Sequence, residues 1–186
     1  MLTAPFVSEF YTIFPAPNAD ELIEFVNKTS DTKDIDNDHF EWGSKCKIDR
    51  IPIPWQDAIE LYKPSMELLY KEFSKSFSYN FFDPWINLYK KGYYQEIHAH
   101  KGNDISSVFF ANDGENFSKL FLSDRNHLNF SCQYEQLISY TNTFNIEYKK
   151  GDIVFFSSQL FHGVTAHESD QIRKTMSANI TIKEIF

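Results

Sequence analysis

From residue 81 onward the apolar residues of this 186-residue chain come in runs of strand length, each closed by a turn-forming residue. The runs cover 84–91, 93–99, 104–112, 118–123, 138–147, 152–157, 161–166 and 173–183. Gly92, Lys101-Gly102-Asn103, Asn112-Asp113-Gly114 and Lys150-Gly151 stand in the breaks. So many short strands in close succession are accommodated by two stacked antiparallel sheets, the double-stranded β-helix or jelly roll. Nineteen phenylalanines and ten tyrosines, residues that pack well on a pleated surface, agree with a mainly β chain. Upstream, the periodicity changes. Ala19 to Lys28 reads as a helix with Asn18 as its N-cap and an acidic first turn. Residues 40–53 read as extended, and Gln56 to Phe77 as helical with a break at Pro64. The expected organisation is one domain, 1–186, in which a helical region (1–80) packs outside a jelly-roll core (81–186).

The formal charge of −8 and the lack of any basic run longer than Lys90-Lys91 or Lys149-Lys150 argue against a nucleic-acid partner. No apolar stretch reaches the roughly 18 residues a membrane span needs, and the N-terminus lacks signal-peptide character. Cys46 and Cys132 are isolated from one another and read as reduced thiols. A cytoplasmic protein is the expectation; oligomeric state is not legible.

Three histidines and an arginine carry the chemistry. His98 and His100 are two residues apart, which on a strand puts both imidazoles on one face. His162 follows the strand-like run Gly151 to Phe156 and is expected to approach from the far side of the barrel, and Arg173 comes eleven residues later. Two near ligands, one distant ligand and a trailing arginine suit a mononuclear metal that recruits an anionic cosubstrate. Either three neutral imidazoles hold the ion, or an acid such as Asp104 replaces one of them. Three imidazoles leave more positive charge on the metal and also suit zinc. His127 and His167 share no such spacing and are expected at the surface.

The segment from Asn87 to His100 resembles the signature of the 2-oxoglutarate and Fe(II) dioxygenase superfamily: N-x-Y, two residues, glycine, five residues, H-x-D, with His100 in the aspartate position. The run Gly151 to Val164 with His162, then Arg173, is similar to the downstream half. So are Ile105 to Phe110 and Ser177-Ala178-Asn179-Ile180, in a subgroup found in marine bacteria and their phages. The resemblance spans roughly 80–183. It implies a dioxygenase in which His98, His100 and His162 bind Fe(II). Arg173 would pair bidentately with the distal carboxylate of 2-oxoglutarate. Asn87 and Tyr89 occupy positions whose counterparts contact the cosubstrate in some members, and Thr175 would add a hydroxyl on the same strand face. Such enzymes couple decarboxylation of 2-oxoglutarate, to succinate and carbon dioxide, to hydroxylation of a substrate. A histidine in the aspartate position departs from the pattern, and a site so altered can bind metal without hydroxylating. Phe109, Phe155 and Tyr94 are expected to be core residues more than cavity lining.

Three rivals remain at this level. A cupin-like barrel, binding metal through three histidines as a dioxygenase or isomerase without 2-oxoglutarate, nearly matches at Gly92, His98, His100 and Asp104. It departs at Ser157, Gln159 and Ala166, and has no need of Arg173. An alkylation-repair demethylase would want a second arginine, absent from Lys174 to Asn179. A degenerate barrel could also survive as a binding scaffold. The substrate is expected to be a small molecule or a peptide side chain, neutral or cationic given the acidic surface. Loops 31–38, 112–118 and 124–136 would frame its entrance.

Overall fold

The computed structural model describes residues 10–32, 46–73, 75–123 and 143–186. Eleven strands among them build two antiparallel sheets. The six-stranded sheet runs β1 (Tyr11–Pro15), β9 (Asp152–Ser157), β6 (Ile105–Phe110), β11 (Arg173–Ile185), β4 (Phe77–Tyr89), β3 (Asp49–Pro52). The five-stranded sheet runs β2 (Cys46–Lys47), β5 (Tyr94–His98), β10 (Phe161–Val164), β7 (Leu120–Ser123), β8 (Thr143–Asn145). Sequence neighbours mostly lie in different places in the sheets, as a jelly roll requires.

Two helices, α1 (Ala19–Thr32) and α2 (Trp55–Glu72), pack on the outer face of the six-stranded sheet. Each buries one stripe at helical spacing, Leu22, Val26 and Thr29 in α1 and Ala58, Tyr62, Met66 and Leu69 in α2. These meet the outward side chains of the sheet, among them Ile86, Leu88, Phe109, Ile153, Phe155, Met176, Ala178 and Ile180. A second apolar cluster lies between the sheets and includes Tyr89, Phe110, Leu120, Leu122, Val154, Phe156 and Val164. Alternate residues of β4, β6, β9 and β11 therefore serve two different cores.

The structure corrects several expectations. Pro64 does not break α2, which runs through it. Its interior-proline cost of about 3 kcal/mol is offset by the burial of Tyr62, Met66 and Leu69, about 1.5–3 kcal/mol for each large apolar side chain. Phe77 begins β4 instead of ending a helix. Asn18 stands before α1, but its amide nitrogen donates to the Leu61 carbonyl (3.0 Å) and its Oδ1 has no partner among the described residues. It ties the two helices together and does not cap. β1 is an unexpected strand, paired with β9 in register from Tyr11–Phe156 to Pro15–Asp152. Tyr94 is neither core nor cavity lining of the barrel interior; its ring stands exposed outside β5. Phe109 and Phe155 are fully buried core residues, on the helix side of the sheet.

The turns behave as the glycines suggest: Gly92 and Gly151 adopt φ of 77° and 91°, a left-handed backbone that side chains with a Cβ resist. The proposed strand residues 138–142, residues 40–45 of the extended run, loop residues 33–38 and 124–136, His127 and Cys132 lie outside the described residues. Cys46 is buried with a free thiol. Among the described residues no helix is long and apolar enough to cross a membrane.

Candidate metal centre

His98 is the last residue of β5, and in the ladder it sits directly opposite His162 of β10. The two imidazoles thus come from neighbouring strands of one sheet, not from opposite walls of the barrel. Gly163 makes this pairing possible. A Cβ there would lie 2.9 Å from the Gln95 carbonyl oxygen and 2.7 Å from the Phe121 ring, so only glycine lets β10 lie this close to its neighbours. His100 lies beyond the end of β5, so strand alternation does not orient it. Its backbone N–H donates to the Ser158 carbonyl (2.9 Å), which turns the chain back toward the cavity.

One potential ligand atom from each of the three rings falls within 4.8 Å of the others. His100 Nε2 and His162 Nε2 are 3.2 Å apart, and the rings of His98 and His162 are 4.2 Å apart between centroids. Two of the rings have fixed tautomers. A carbonyl only accepts, so His98 Nδ1–H donates to Glu96 O (2.8 Å) and His162 Nδ1–H donates to Leu160 O (2.9 Å). Each then presents a lone pair on Nε2. Burial holds all three rings neutral. It pushes the pKa of His98 down and that of His162 well down, and takes His100 to about 3, with the neighbouring histidines adding to the shift of His100 and His162. Neutral imidazoles converging through nitrogen are a donor set for a divalent transition metal. Asp104 does not join them: its Oδ2 accepts the Ile182 backbone N–H (2.7 Å) at the edge of the sheet.

The same cavity takes in Arg173, Thr175, Asn87, Tyr89, Gln95 and the three histidines. Arg173 is only 1 % exposed. Its Nε donates to the Tyr148 hydroxyl (3.1 Å), and its guanidinium carbon lies 4.9–5.5 Å from the ring centroids of Tyr89, Phe110 and Tyr148. Nη1 and Nη2 are buried without a hydrogen-bond partner among the described residues. Asp170, three residues before Arg173 in sequence, pairs with Lys91 at 2.9 Å. A buried cation with two unfilled donors is expensive unless something anionic fills them. A dicarboxylic acid whose other end chelates a metal at the histidines has the right chemistry for this gap.

The neighbours of that gap are ordered by one another. Tyr89 and Thr175 face inward from β4 and β11; Arg173 pairs with Tyr89 and Thr175 with Asn87 in the ladder. Asn87 donates to Thr175 Oγ1 (3.3 Å) and Ser177 Oγ (3.0 Å) and accepts from Trp85 Nε1 (2.7 Å). Tyr89 donates its hydroxyl hydrogen to Gln95 Oε1 (3.1 Å), and Gln95 Nε2 lies 3.3 Å from His98 Nε2. Burial pushes the Tyr89 phenol to about 12 despite the adjacent Arg173, so it stays protonated.

Sequence reasoning missed Gln95, Tyr148 and Asn179. Only Asn179 carried a signal, since it falls on the same period of two as Arg173 and Thr175. It also misjudged His167, which is buried, accepts the Ser118 backbone N–H on Nδ1 (3.1 Å) and donates from Nε2 to Gln171 O (2.7 Å). That histidine ties two loops together.

Comparison with known proteins agrees with this geometry. The sequence model of the family described as "Putative 2OG-Fe(II) oxygenase" matches residues 83–179, from β4 to β11. No curated protein matches the chain. Among solved structures, the chain is similar to a 2OG-Fe(II) oxygenase family oxidoreductase from Burkholderia pseudomallei. The TM-score is 0.67 at 10% identity, over 92% of this chain and 84% of that one. It is also similar to a Pseudomonas putida prolyl-4-hydroxylase (TM-score 0.63, 12% identity, 95% of each chain). A third is HygX from Streptomyces hygroscopicus with nickel and 2-oxoglutarate bound (TM-score 0.64, 11% identity, 92% of this chain and 82% of that one). At such identities the structures attest the shared fold, and the family match covers just over half of the sequence. The chain belongs to the 2OG-Fe(II) oxygenase family, whose name states its two requirements, iron(II) and 2-oxoglutarate.

Proposed function

We propose that this protein hydroxylates a small molecule or a peptide side chain, with iron held by His98, His100 and His162 and 2-oxoglutarate anchored by Arg173. The observation that carries the reading is the buried Arg173 guanidinium, whose two terminal nitrogens lack hydrogen-bond partners among the described residues, in the cavity that the histidines line. Iron with 2-oxoglutarate would supply the oxidising chemistry: dioxygen is consumed, one of its atoms entering a substrate C–H bond and the other the succinate that is left with carbon dioxide. The chain contributes the rest. His98 and His162 offer Nε2 lone pairs fixed by backbone carbonyls. Arg173 would hold the distal carboxylate with its two terminal nitrogens, and Thr175 would add its hydroxyl. The Tyr89, Phe110 and Tyr148 rings wall the guanidinium off from water, which strengthens its hold on an anion. Asn87, saturated by Trp85, Thr175 and Ser177, keeps the hydroxyls of β11 aimed inward. Phe156, Leu120 and Val164 supply apolar wall to the cavity.

Three neutral ligands, in place of two and a carboxylate, leave the metal one unit more positive, which favours the dianionic cosubstrate. A cupin-like metal site without 2-oxoglutarate would leave Arg173 with nothing to bind. The domain organisation in this reading is a single unit, 1–186; the expected boundary at 81 does not separate helices from barrel, because β1, β2 and β3 complete the two sheets. A cytoplasmic site of action belongs to the same reading, because a reducing compartment keeps iron ferrous and thiols free. Anaerobic titration with Fe(II) and 2-oxoglutarate tests it: a visible charge-transfer band is expected with the wild-type chain and not with His98→Ala. A wild-type chain without the band, or a His98→Ala chain that retains it, removes the proposal.

A further inference from the structure

His98 and His162 have their tautomers set by backbone carbonyls that cannot change role, but His100 does not. Its Nδ1 lies 3.2 Å from the side-chain amide nitrogen of Asn179. An amide nitrogen donates, so in this arrangement Nδ1 accepts and the proton of the neutral ring sits on Nε2. From there it donates across 3.2 Å to His162 Nε2, whose own proton is committed to Leu160. Every bond is satisfied, yet a ring in this state has no lone pair to give a metal.

The residues behind Asn179 allow the opposite state. Ser106 Oγ donates to Asn179 Oδ1 (2.9 Å) and lies 2.8 Å from Ser158 Oγ. Ser158 also accepts the His100 backbone N–H, so His100, Ser158, Ser106 and Asn179 form a closed ring of hydrogen bonds. Asn179 and Ser106 are partners in the β11–β6 ladder, and the asparagine and both serines are buried. Turn the amide over by 180° and reverse the hydroxyls. His100 Nδ1–H then donates to Asn179 Oδ1, Asn179 Nδ2–H to Ser106 Oγ, and Ser106 O–H to Ser158 Oγ. Each of these contacts is kept with its direction reversed, because hydroxyls rotate and the two ends of an amide have nearly the same shape. Now Nε2 carries a lone pair aimed at His98 and His162.

We infer that Asn179, backed by Ser106 and Ser158, is the positioning residue that makes His100 a metal ligand, its amide turning over as His100 moves its proton from Nε2 to Nδ1. The inference rests on the three-histidine reading of the centre and goes beyond it. An aspartate has no tautomer to choose, so a histidine in the aspartate position of the signature brings with it the need for such a partner. The same arrangement makes His100 the one ring of the three that must change its tautomer, since the other two already present Nε2 lone pairs.

Long-range proton–nitrogen NMR of the histidine side chains in the unaltered chain, without metal and saturated with Zn(II), tests this directly. His100 should carry its proton on Nε2 without zinc, and on Nδ1, with Nε2 bonded to the ion, when zinc is present. One tautomer in both states, or Nδ1 bonded to zinc, overturns the inference. In calorimetric titrations with Zn(II), Asn179→Ala should bind about 10–100-fold more weakly than wild type, the usual effect of removing a partner of a ligating histidine. Asn179→Asp, which accepts from Nδ1–H as the turned amide does, should bind within a few-fold of wild type. An Asn179→Ala chain with wild-type affinity also overturns it. If His98→Ala leaves zinc affinity intact, the three-histidine centre itself is wrong; if His98→Ala destroys binding and Asn179→Ala does not, only the role of Asn179 is lost. Asn179→Ala failing to fold does not rescue the idea, because the NMR reading uses no variant.

Discussion

The two faces of β11 are made from the same strand and do opposite work. On one side Met176, Ala178 and Ile180 are buried against α1, α2 and the outer core. On the other, Arg173, Thr175, Ser177 and Asn179 are equally buried but polar, and line the cavity with the histidines. β4 repeats the division, with Ile86 and Leu88 outward and Asn87 and Tyr89 inward. In a simple sandwich the apolar face of a strand looks toward the partner sheet and the polar face toward water. Here helices cover the outer face and give its apolar residues a core of their own, so part of the space between the sheets, beside the second apolar cluster, is released for chemistry. Along β4 and β11 the outward face serves packing and the inward face carries the site.

Substitutions on either face break or sharpen that contrast. The largest effect belongs to the inner side: His162→Ala should abolish Zn(II) binding measured by calorimetry while the chain still unfolds cooperatively. Retained binding would contradict the placement of the centre. On the outer face, Met176→Ala should cost about 2–5 kcal/mol in urea unfolding, as large-to-small changes in packed cores do, with no change in metal affinity. A loss of metal affinity on folded protein would show that the faces are coupled.

Lowering pH separates the faces without mutation. The three histidines have folded pKa values below 6.5, so the unfolded chain takes up protons that the folded chain refuses. Their contribution to stability is present above pH 6.5 and is lost as pH falls below it. Each group costs the metal-free protein up to about 1.4 kcal/mol per pH unit. Urea unfolding at pH 7 and pH 5 should show that loss, reduced in His100→Ala; equal slopes in the two chains would count against it. The smallest effect is expected from Arg173→Met, which removes a buried charge with open donors. The ligand-free protein should gain about 1 kcal/mol in thermal or urea unfolding, since apolar replacements of buried charges are often neutral or stabilising. A loss of several kcal/mol would make Arg173 a structural residue.

Much of this division was legible in the sequence, because a period of two needs only the strand itself to be read. The runs that became β5, β6, β9 and β11 showed it, and so did the order His98, His100, His162, Arg173. What escaped depends on partners distant in sequence. β1 is strand-like only because β9 pairs with it, across some 140 residues of chain. Pro64 signals a helix break locally, and tertiary packing of α2 overrides it. Tyr148 follows the short strand β8 in irregular chain, and its ring finds its place by stacking on Phe110 (3.8 Å between centroids). His167 looked like a surface residue because nothing near it in sequence announces that Ser118 and Gln171 would engage both its nitrogens. The sequence marks His162 as a ligand candidate, but the expected far wall is not where it lies, since spacing says nothing about which strand will lie beside β5.

The central claim is that the inner face of β11 binds a dicarboxylic acid through Arg173. The most direct test is calorimetric binding of 2-oxoglutarate and of 2-oxobutyrate, which lacks the distal carboxylate, to the Zn(II)-loaded wild type and Arg173→Met chains. Wild type should prefer 2-oxoglutarate by about 100-fold, close to 3 kcal/mol for a buried charge-assisted pair, and Arg173→Met should bind the two acids alike. A variant that keeps the full preference would contradict the account.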